Sequence, residues 1–292
     1  MIPRRTLYVS DLDGTLLNPQ GMLSEYTTRA LLSLQKEGVP FTLASGRAYS
    51  SMRRALNQSN VALPIISSDG GMISPWESPS PLWLCPMDSA LPKTLVELGL
   101  KLGLKVLVDL WDGVQNAFLP LGLGHHKGWD LYLEWKGVET HFRLGHKAPL
   151  KEEWHRTQVI SLTFMDTPQK ILQLETLLRK EWGDYVKIDT QNWSSHKDWA
   201  FLWIQNPKAT KEAALSQWIQ LHQGQYDRVV VFGDEFNDVG MFKMGYYGVA
   251  VENAIPQIKE LAQEVIGPSW EDSVIRYILK QENLAVPDLN QV

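Results

Sequence analysis

Short apolar runs alternate with amphipathic stretches along most of this chain. Thr6-Leu7-Tyr8-Val9 is apolar and β-prone and reads as a buried strand. Ser24 then opens a helical pattern, with Ala30, Leu31 and Leu34 at helical spacing and Gly38 as its stop. Residues 41–44 read as a second strand, followed at once by a helix carrying Met52, Ala55 and Leu56 on one face. Residues 64–67 read as a third strand. Strands that alternate with helices in this way predict an α/β fold built on a doubly wound parallel sheet.

The pattern changes at residues 74–86, which are dense in Pro and Ser, the composition of a linker or hairpin. Beyond them come a predicted helix over 89–102, a strand over 105–109 and an irregular, Gly- and Trp-rich middle over 111–151. A strand over 159–165 follows, then a helix from the Thr167-Pro168 start pair to Trp182 and a strand over 187–190. This α+β segment, 84–198, reads as a self-contained inserted domain. Alternation resumes with a strand over 201–204, a helix over 210–221 and a buried strand over 228–232. A strand at Tyr247–Val251 and helices over 256–264 and 271–280 close the chain. The expected division is therefore a core of residues 1–83 and 199–292 and an inserted domain of residues 84–198.

Composition narrows the class of function. With 44% hydrophobic and 21% charged residues, the 292-residue chain is ordinary for a globular protein, and its net charge of -5 argues against a nucleic-acid binder. The single cysteine, Cys85, has no partner for an intramolecular disulfide and reads as a packing residue. Residues 1–5 run directly into the first strand without a leader-like apolar region. No apolar run approaches the roughly 18 residues needed to span a bilayer. The expectation is a cytoplasmic enzyme, monomer or homodimer, working on a small molecule and on no membrane.

Chemistry-bearing residues gather just past the predicted strand ends, where open α/β sheets bind ligands. Asp11 and Asp13 follow the first strand, one residue apart, and Gly14 lets the backbone turn sharply. Such a pair divides labour well, one carboxylate attacking and the other moving a proton, while both hold a hard cation. A solvated Asp-Gly turn is the plainer reading of a bare Asp-x-Asp. Ser45, Gly46 and Arg47 follow the second strand, where a Ser is either an N-cap or part of an anion site. Lys211 falls at a helix start, against the dipole. Gly233-Asp234-Glu235-Phe236-Asn237-Asp238 packs polar side chains into one tight loop, a pattern shared with ordinary turns.

Taken in order, these segments resemble the four motifs of the haloacid dehalogenase superfamily. The string Asp11-Leu12-Asp13-Gly14-Thr15-Leu16-Leu17 carries the first. The flanks Lys211-Glu-Ala-Ala-Leu and Gly248-Val-Ala-Val-Glu-Asn253-Ala are similar to the Cof-like hydrolase branch. The Ala-Leu register selects Lys211 over Lys208. The resemblance covers residues 5–75 and 200–280. Across the insertion only size and position match the α/β cap of that branch.

The resemblance implies a Mg²⁺-dependent phosphatase that acts on small phosphorylated metabolites, sugar phosphates first, through an aspartyl-phosphate. Asp11 would be the nucleophile and Asp13 the general acid and base. Asp11, the Asp13 backbone carbonyl and Asp234 would hold the metal, with Asp238 behind them. Leu12, Ser45, Gly46, Lys211 and Asn237 would bind the phosphoryl oxygens, and Arg47, Asp69 and Gly70 are candidate substrate contacts. Oxygen donors without soft ligands suit Mg²⁺. Asp69-Gly70-Gly71 departs from the Asn-Gly-Ala usual at that loop. A carboxylate there repels a phosphate unless it faces metal, a sugar hydroxyl or solvent. The second Asp argues against carbon–halogen chemistry. A sugar-phosphate mutase would share all four motifs, and a non-catalytic binding homologue would ordinarily have lost Asp11 or Asp13. The inserted domain is expected to read the leaving group, with Trp129 and Trp135, beside His125, His126 and Asp130, suited to a sugar ring.

Overall fold

The structure, a computed structural model, describes residues 5–56, 59, 61–78, 80–122, 127–136, 154–193 and 196–285. It divides into two compact units, one of residues 1–83 and 210–292, the other of residues 84–209. In chain order the first unit begins with β1 (Thr6–Ser10), α1 (Glu25–Lys36), β2 (Phe41–Leu43), α2 (Tyr49–Ala55), β3 (Ile65–Ser67) and β4 (Met72–Ser74). After β5 (Trp83–Leu84) at the border, the second unit holds α3 (Leu91–Lys101), β6 (Lys105–Trp111), β7 (Asn116–Leu121), α4 (Lys127–Lys136), β8 (Gln158–Asp166), α5 (Pro168–Trp182), β9 (Lys187–Asn192) and β10 (Ala200–Gln205). The first unit then resumes with α6 (Lys211–Leu221), β11 (Arg228–Gly233), α7 (Val239–Phe242), β12 (Tyr247–Val251), α8 (Pro256–Leu261), β13 (Glu264–Ile266) and α9 (Ser273–Gln281).

The first unit is built on a parallel sheet of order β13-β12-β11-β1-β2. β1 lies at its centre, with Leu7 and Val9 fully buried, as its apolar run predicts. α1 starts where Ser24 accepts a hydrogen bond from the Thr27 amide, and it buries Ala30, Leu31 and Leu34. Two details differ from expectation. β3 meets the parallel sheet through the Ala44–Ile66 bridge alone and otherwise pairs antiparallel with β4, in a small sheet with β5. The helix expected over 256–264 stops at Leu261 because Ala262 turns extended. Residues 264–266 then pair with β12 as an edge strand, where β-branched Val265 and Ile266 fit well.

The second unit is a five-stranded antiparallel sheet of order β7-β6-β8-β10-β9. Val106, Val108, Leu162, Phe164, Leu202 and Ile204 line one face and form a core with Leu95 of α3 and Ile171, Leu174 and Leu178 of α5. The expected boundary at 198/199 is corrected here. β10, read as a core strand, pairs with β8 and β9, and the chain leaves this unit at 209/210. A buried strand has the same apolar pattern whichever sheet receives it, so periodicity alone does not assign it.

Trp129, expected to face a ligand, is packed instead. It is 1% exposed and stands edge-on to Tyr132, which in turn meets Phe201 at 4.8 Å. Asp130 is exposed, while His125, His126 and the Trp135 side chain lie outside the described residues. Cys85 is buried and free, consistent with a packing role. Among the described residues no helix is long and apolar enough to cross a membrane.

Candidate active site

Sheet register assembles the site. β1 and β11 run parallel with Ser10 opposite Phe232, so Asp11 and Asp234 leave adjacent strand ends. The Asp11 amide donates to the Phe232 carbonyl at 3.1 Å. One strand over, the chain leaving β2 carries Ser45, Gly46 and Arg47 to the same edge. α6 delivers Lys211 from behind. Its start is capped by Thr210 Oγ1, which accepts from the Ala213 amide. Gly70 makes that approach possible: its φ is +92°, and a Cβ on it would stand 2.2 Å from the Thr210 carbonyl oxygen. Gly70 thus seats α6 against the turn after β3.

Lys211 is the buried hub. Its ammonium donates to Asp11 Oδ1 at 2.6 Å and to Asp238 Oδ1 at 2.7 Å, and the residue is 1% exposed. Burial opposes its charge, but Asp11, Asp238 and Asp69 outweigh burial and hold the ammonium protonated well above the usual lysine range. Burial raises Asp11 well above the usual carboxylate range. Lys211 pulls it back, and Asp238, Asp13 and Asp234 raise it further. Lys208, the other lysine in play, is exposed and belongs to the second unit.

Asp11, Asp234 and Asp238 bring carboxylate oxygens within 4.8 Å of one another. Three carboxylates against one ammonium leave negative charge unmatched, and oxygen-only donors fit a hard cation. Asp234 carries the sign of that shortage: burial pushes its pKa up to about 7, with Asp238 adding to the rise and the Thr15 hydroxyl, 2.7 Å from Oδ1, opposing it. Its Oδ2 lies over Gly14, where a Cβ would come within 2.2 Å, and φ there is +77°. Asp238 is differently engaged. It is fully buried, with Oδ1 on Lys211 and Oδ2 accepting from the Asp234 and Glu235 amides. Both of its oxygens are committed, which suits a residue behind the metal ligands rather than among them.

The rim is more open. Arg47 forks onto Asp13, Nε to Oδ2 at 2.7 Å and Nη2 to Oδ1 at 2.6 Å. Asn237 donates through Nδ2 to Asp69 Oδ1 at 2.9 Å. Ser45 Oγ accepts from the Arg47 amide at 3.2 Å, and Asp69 lies against Gly46. Ser68 and Asp69 both hold φ of 50°, a left-handed conformation that Asp tolerates better than most residues. Leu12 is fully buried, and its carbonyl accepts from the amides of Thr15, Leu16 and Leu17. The sequence-predicted residues of the first unit thus converge on one sheet edge. Two contributors had no role in the sequence reading, Thr15, which orients Asp234, and Asn253, whose Nδ2 donates to the Gly14 carbonyl at 2.7 Å; Gly14, read only as a turn, also clears space for Asp234. All three sit inside the quoted motif segments, so position within the motif was the available signal.

A parallel sheet with a carboxylate-rich carboxyl edge, interrupted by an α+β insertion, defines a two-unit α/β protein whose candidate site lies at that edge. A family model described as haloacid dehalogenase-like hydrolase matches residues 8–278, and the chain belongs to that family. It is similar to the pyridoxal phosphate phosphatase of Escherichia coli, 24% identical over 92% of this chain and 95% of that one. It is also similar to the HMP-PP phosphatase of Yersinia pestis, 27% identical over 92% of each. A crystal structure from Thermotoga maritima shares the fold, with a TM-score of 0.77 over 98% of this chain and 100% of that one at 24% identity. With the family and these relatives together, the chain is a phosphatase of the Cof-like branch.

Proposed function

We propose that this phosphatase is Mg²⁺-dependent and hydrolyses small phosphorylated metabolites, sugar phosphates first among them, through a phosphorylated Asp11. The observation that carries the reading is the buried Lys211 ammonium, 2.6 Å from Asp11 and 2.7 Å from Asp238 at the sheet edge. A buried cation against the attacking carboxylate lets one anion approach another. Asp11, the Asp13 backbone carbonyl and Asp234 would hold Mg²⁺, with Asp238 orienting the set. Bound there, the metal supplies the positive charge that Lys211 alone does not.

The chain's own groups do the rest. Asp11 attacks phosphorus, and the P–O bond to the leaving alkoxide breaks. Asp13 gives that alkoxide its proton, then takes one from the water that cleaves the acyl phosphate, returning both carboxyl groups to their starting states. Lys211, Ser45, Asn237 and the amides of Leu12 and Gly46 would face the phosphoryl oxygens. The named substrates of the two relatives, pyridoxal phosphate and HMP-PP, are small phosphorylated molecules, which supports that substrate class. The inserted unit is the place to look for leaving-group selection.

The test is phosphate release from a panel of hexose phosphates, pentose phosphates, pyridoxal phosphate and p-nitrophenyl phosphate, with Mg²⁺ and with EDTA. Turnover should vanish in EDTA and in Asp11→Asn, and the sugar phosphates should show the higher kcat/KM. Undiminished turnover in chelator would overturn the metal. Sustained turnover by a correctly folded Asp11→Asn would overturn the covalent route.

A further inference from the structure

The rim pair between Arg47 and Asp13 sets both partners in one geometry. The guanidinium presents two parallel N–H groups, at 2.7 and 2.6 Å, to the two oxygens of one carboxylate. Such a fork fixes the plane of the carboxylate as well as its position. The Asp13 side chain is 51% exposed, so without the fork it would sample several rotamers. Arg47 is itself anchored. Its side chain is 14% exposed, its amide donates to Ser45 Oγ, and its carbonyl accepts from the Ser68 amide at 2.8 Å. The anchor thus runs through the loop after β2 and the left-handed turn after β3. Each carboxylate oxygen has two lone pairs, and the fork takes one on each. A lone pair therefore stays available for the proton that passes to the leaving alkoxide and returns from water.

We propose that Arg47 is a positioning residue for Asp13: it acts on the proton-transfer step through that carboxylate and does not touch the phosphoryl group. This rests on the reading of Asp13 as the general acid and base. It takes the place of the expectation that Arg47 is a substrate contact: the Nε–Nη2 edge of the guanidinium is engaged by Asp13.

Two esters and one product separate the possibilities. Kinetics with Mg²⁺ are measured for the wild type, Arg47→Ala, Arg47→Lys, Asp13→Asn and the double variant Asp13→Asn/Arg47→Ala. The substrates are p-nitrophenyl phosphate, whose leaving group needs no proton, and a hexose 6-phosphate, whose alkoxide does. Inorganic phosphate is the competitive inhibitor, and circular dichroism checks each fold. Arg47→Ala should lower kcat/KM, which covers the transfer to Asp11 and not the hydrolysis common to both esters, by about tenfold or more on the sugar phosphate, a modest share of what general acid catalysis contributes, and far less on the nitrophenyl ester. The Ki for phosphate should hardly move. Arg47→Lys, with a point charge in place of a fork, should recover part of the loss. The double variant should be no worse than Asp13→Asn, as expected of two residues acting in one unit.

Equal losses on both esters, a rise in Ki for phosphate, or additive losses in the double variant would each overturn the proposal, as would an Arg47→Ala enzyme indistinguishable from wild type. The function reading fails separately. If Asp13→Asn itself does not discriminate between the esters, Asp13 is not the acid, whatever Arg47 does.

Discussion

Two cation–carboxylate groups stand close together in this site and live in different media. The inner one joins Lys211 to Asp11 and Asp238, with side-chain exposures of 0%, 7% and 0%. The outer one joins Arg47 to Asp13, at 14% and 51%. Their distances are nearly the same, so distance does not distinguish them. Solvent does. Water screens the outer pair and would solvate either partner if the other were lost. The inner carboxylates have only Lys211 and local hydrogen bonds to offset the loss of water, so removing the lysine strands them. The lesson is that the inner group belongs to the fold as much as to the chemistry, whereas the outer group is free to serve the reaction alone.

Lys211→Met is the hardest blow to that contrast. Leaving two buried carboxylates without their cation should cost about 3–5 kcal/mol of stability, while Arg47→Ala should cost no more than about 1 kcal/mol. Urea unfolding of both variants in chelator measures the difference. Comparable losses would mean that burial does not separate the two groups. Adding Asp11→Asn to Lys211→Met should return part of the stability, since one uncompensated charge is removed.

Titration sharpens the contrast next. The unfolded Asp234 carboxyl loses its proton near 3.8 and the folded one near 7. Between those values the folded state binds the extra proton, so stability without metal should fall as pH rises from about 4 to about 7 and then level off. Asp11, also raised, pulls the same way. In Tm measurements from pH 5 to 8 in chelator, the wild type should lose more than Asp234→Asn. Mg²⁺ should raise the wild-type Tm most above pH 7, where protons no longer compete for the site. A wild type and variant with parallel curves would remove the charge shortage on which the metal site is argued.

The smallest effect is expected at the rim, from Asp69→Asn. Asn tolerates the left-handed backbone as Asp does, so the turn should keep its shape. Removing a carboxylate beside the phosphate donors should lower the Ki for inorganic phosphate by only about two- to fivefold, a like-charge effect in a partly solvated place. An unchanged or higher Ki would show that Asp69 faces away from the bound anion.

Much of the first unit was legible because its signals are local. β12 falls at the predicted Tyr247–Val251, and α1 begins after the Ser24 cap and covers its apolar stripe. Gly14, just after the Asp11/Asp13 pair that follows a buried strand, marks the sharp turn that the site needs. Less of the second unit could be read. β10 has the pattern of a core strand but pairs in the antiparallel sheet, β7 lies in a stretch whose pattern is irregular, and Trp129 is packed. A strand's apolar alternation records that it is buried and is silent about its partners. A tryptophan in a Gly-rich stretch looks the same whether it meets a ligand or another ring.

What the sequence determined by itself was which residues carry chemistry and at which strand ends they emerge, because period, caps and turn residues act over a few positions. What only the tertiary structure decided was the pairing. Lys211 is separated by 200 residues from Asp11, Arg47 by 34 from Asp13, and Asn237 by 168 from Asp69. Those contacts exist because the parallel register sets strand ends side by side and Gly70 lets α6 close in. Charge and close approach act through space, and a linear pattern of residues does not hold that distance.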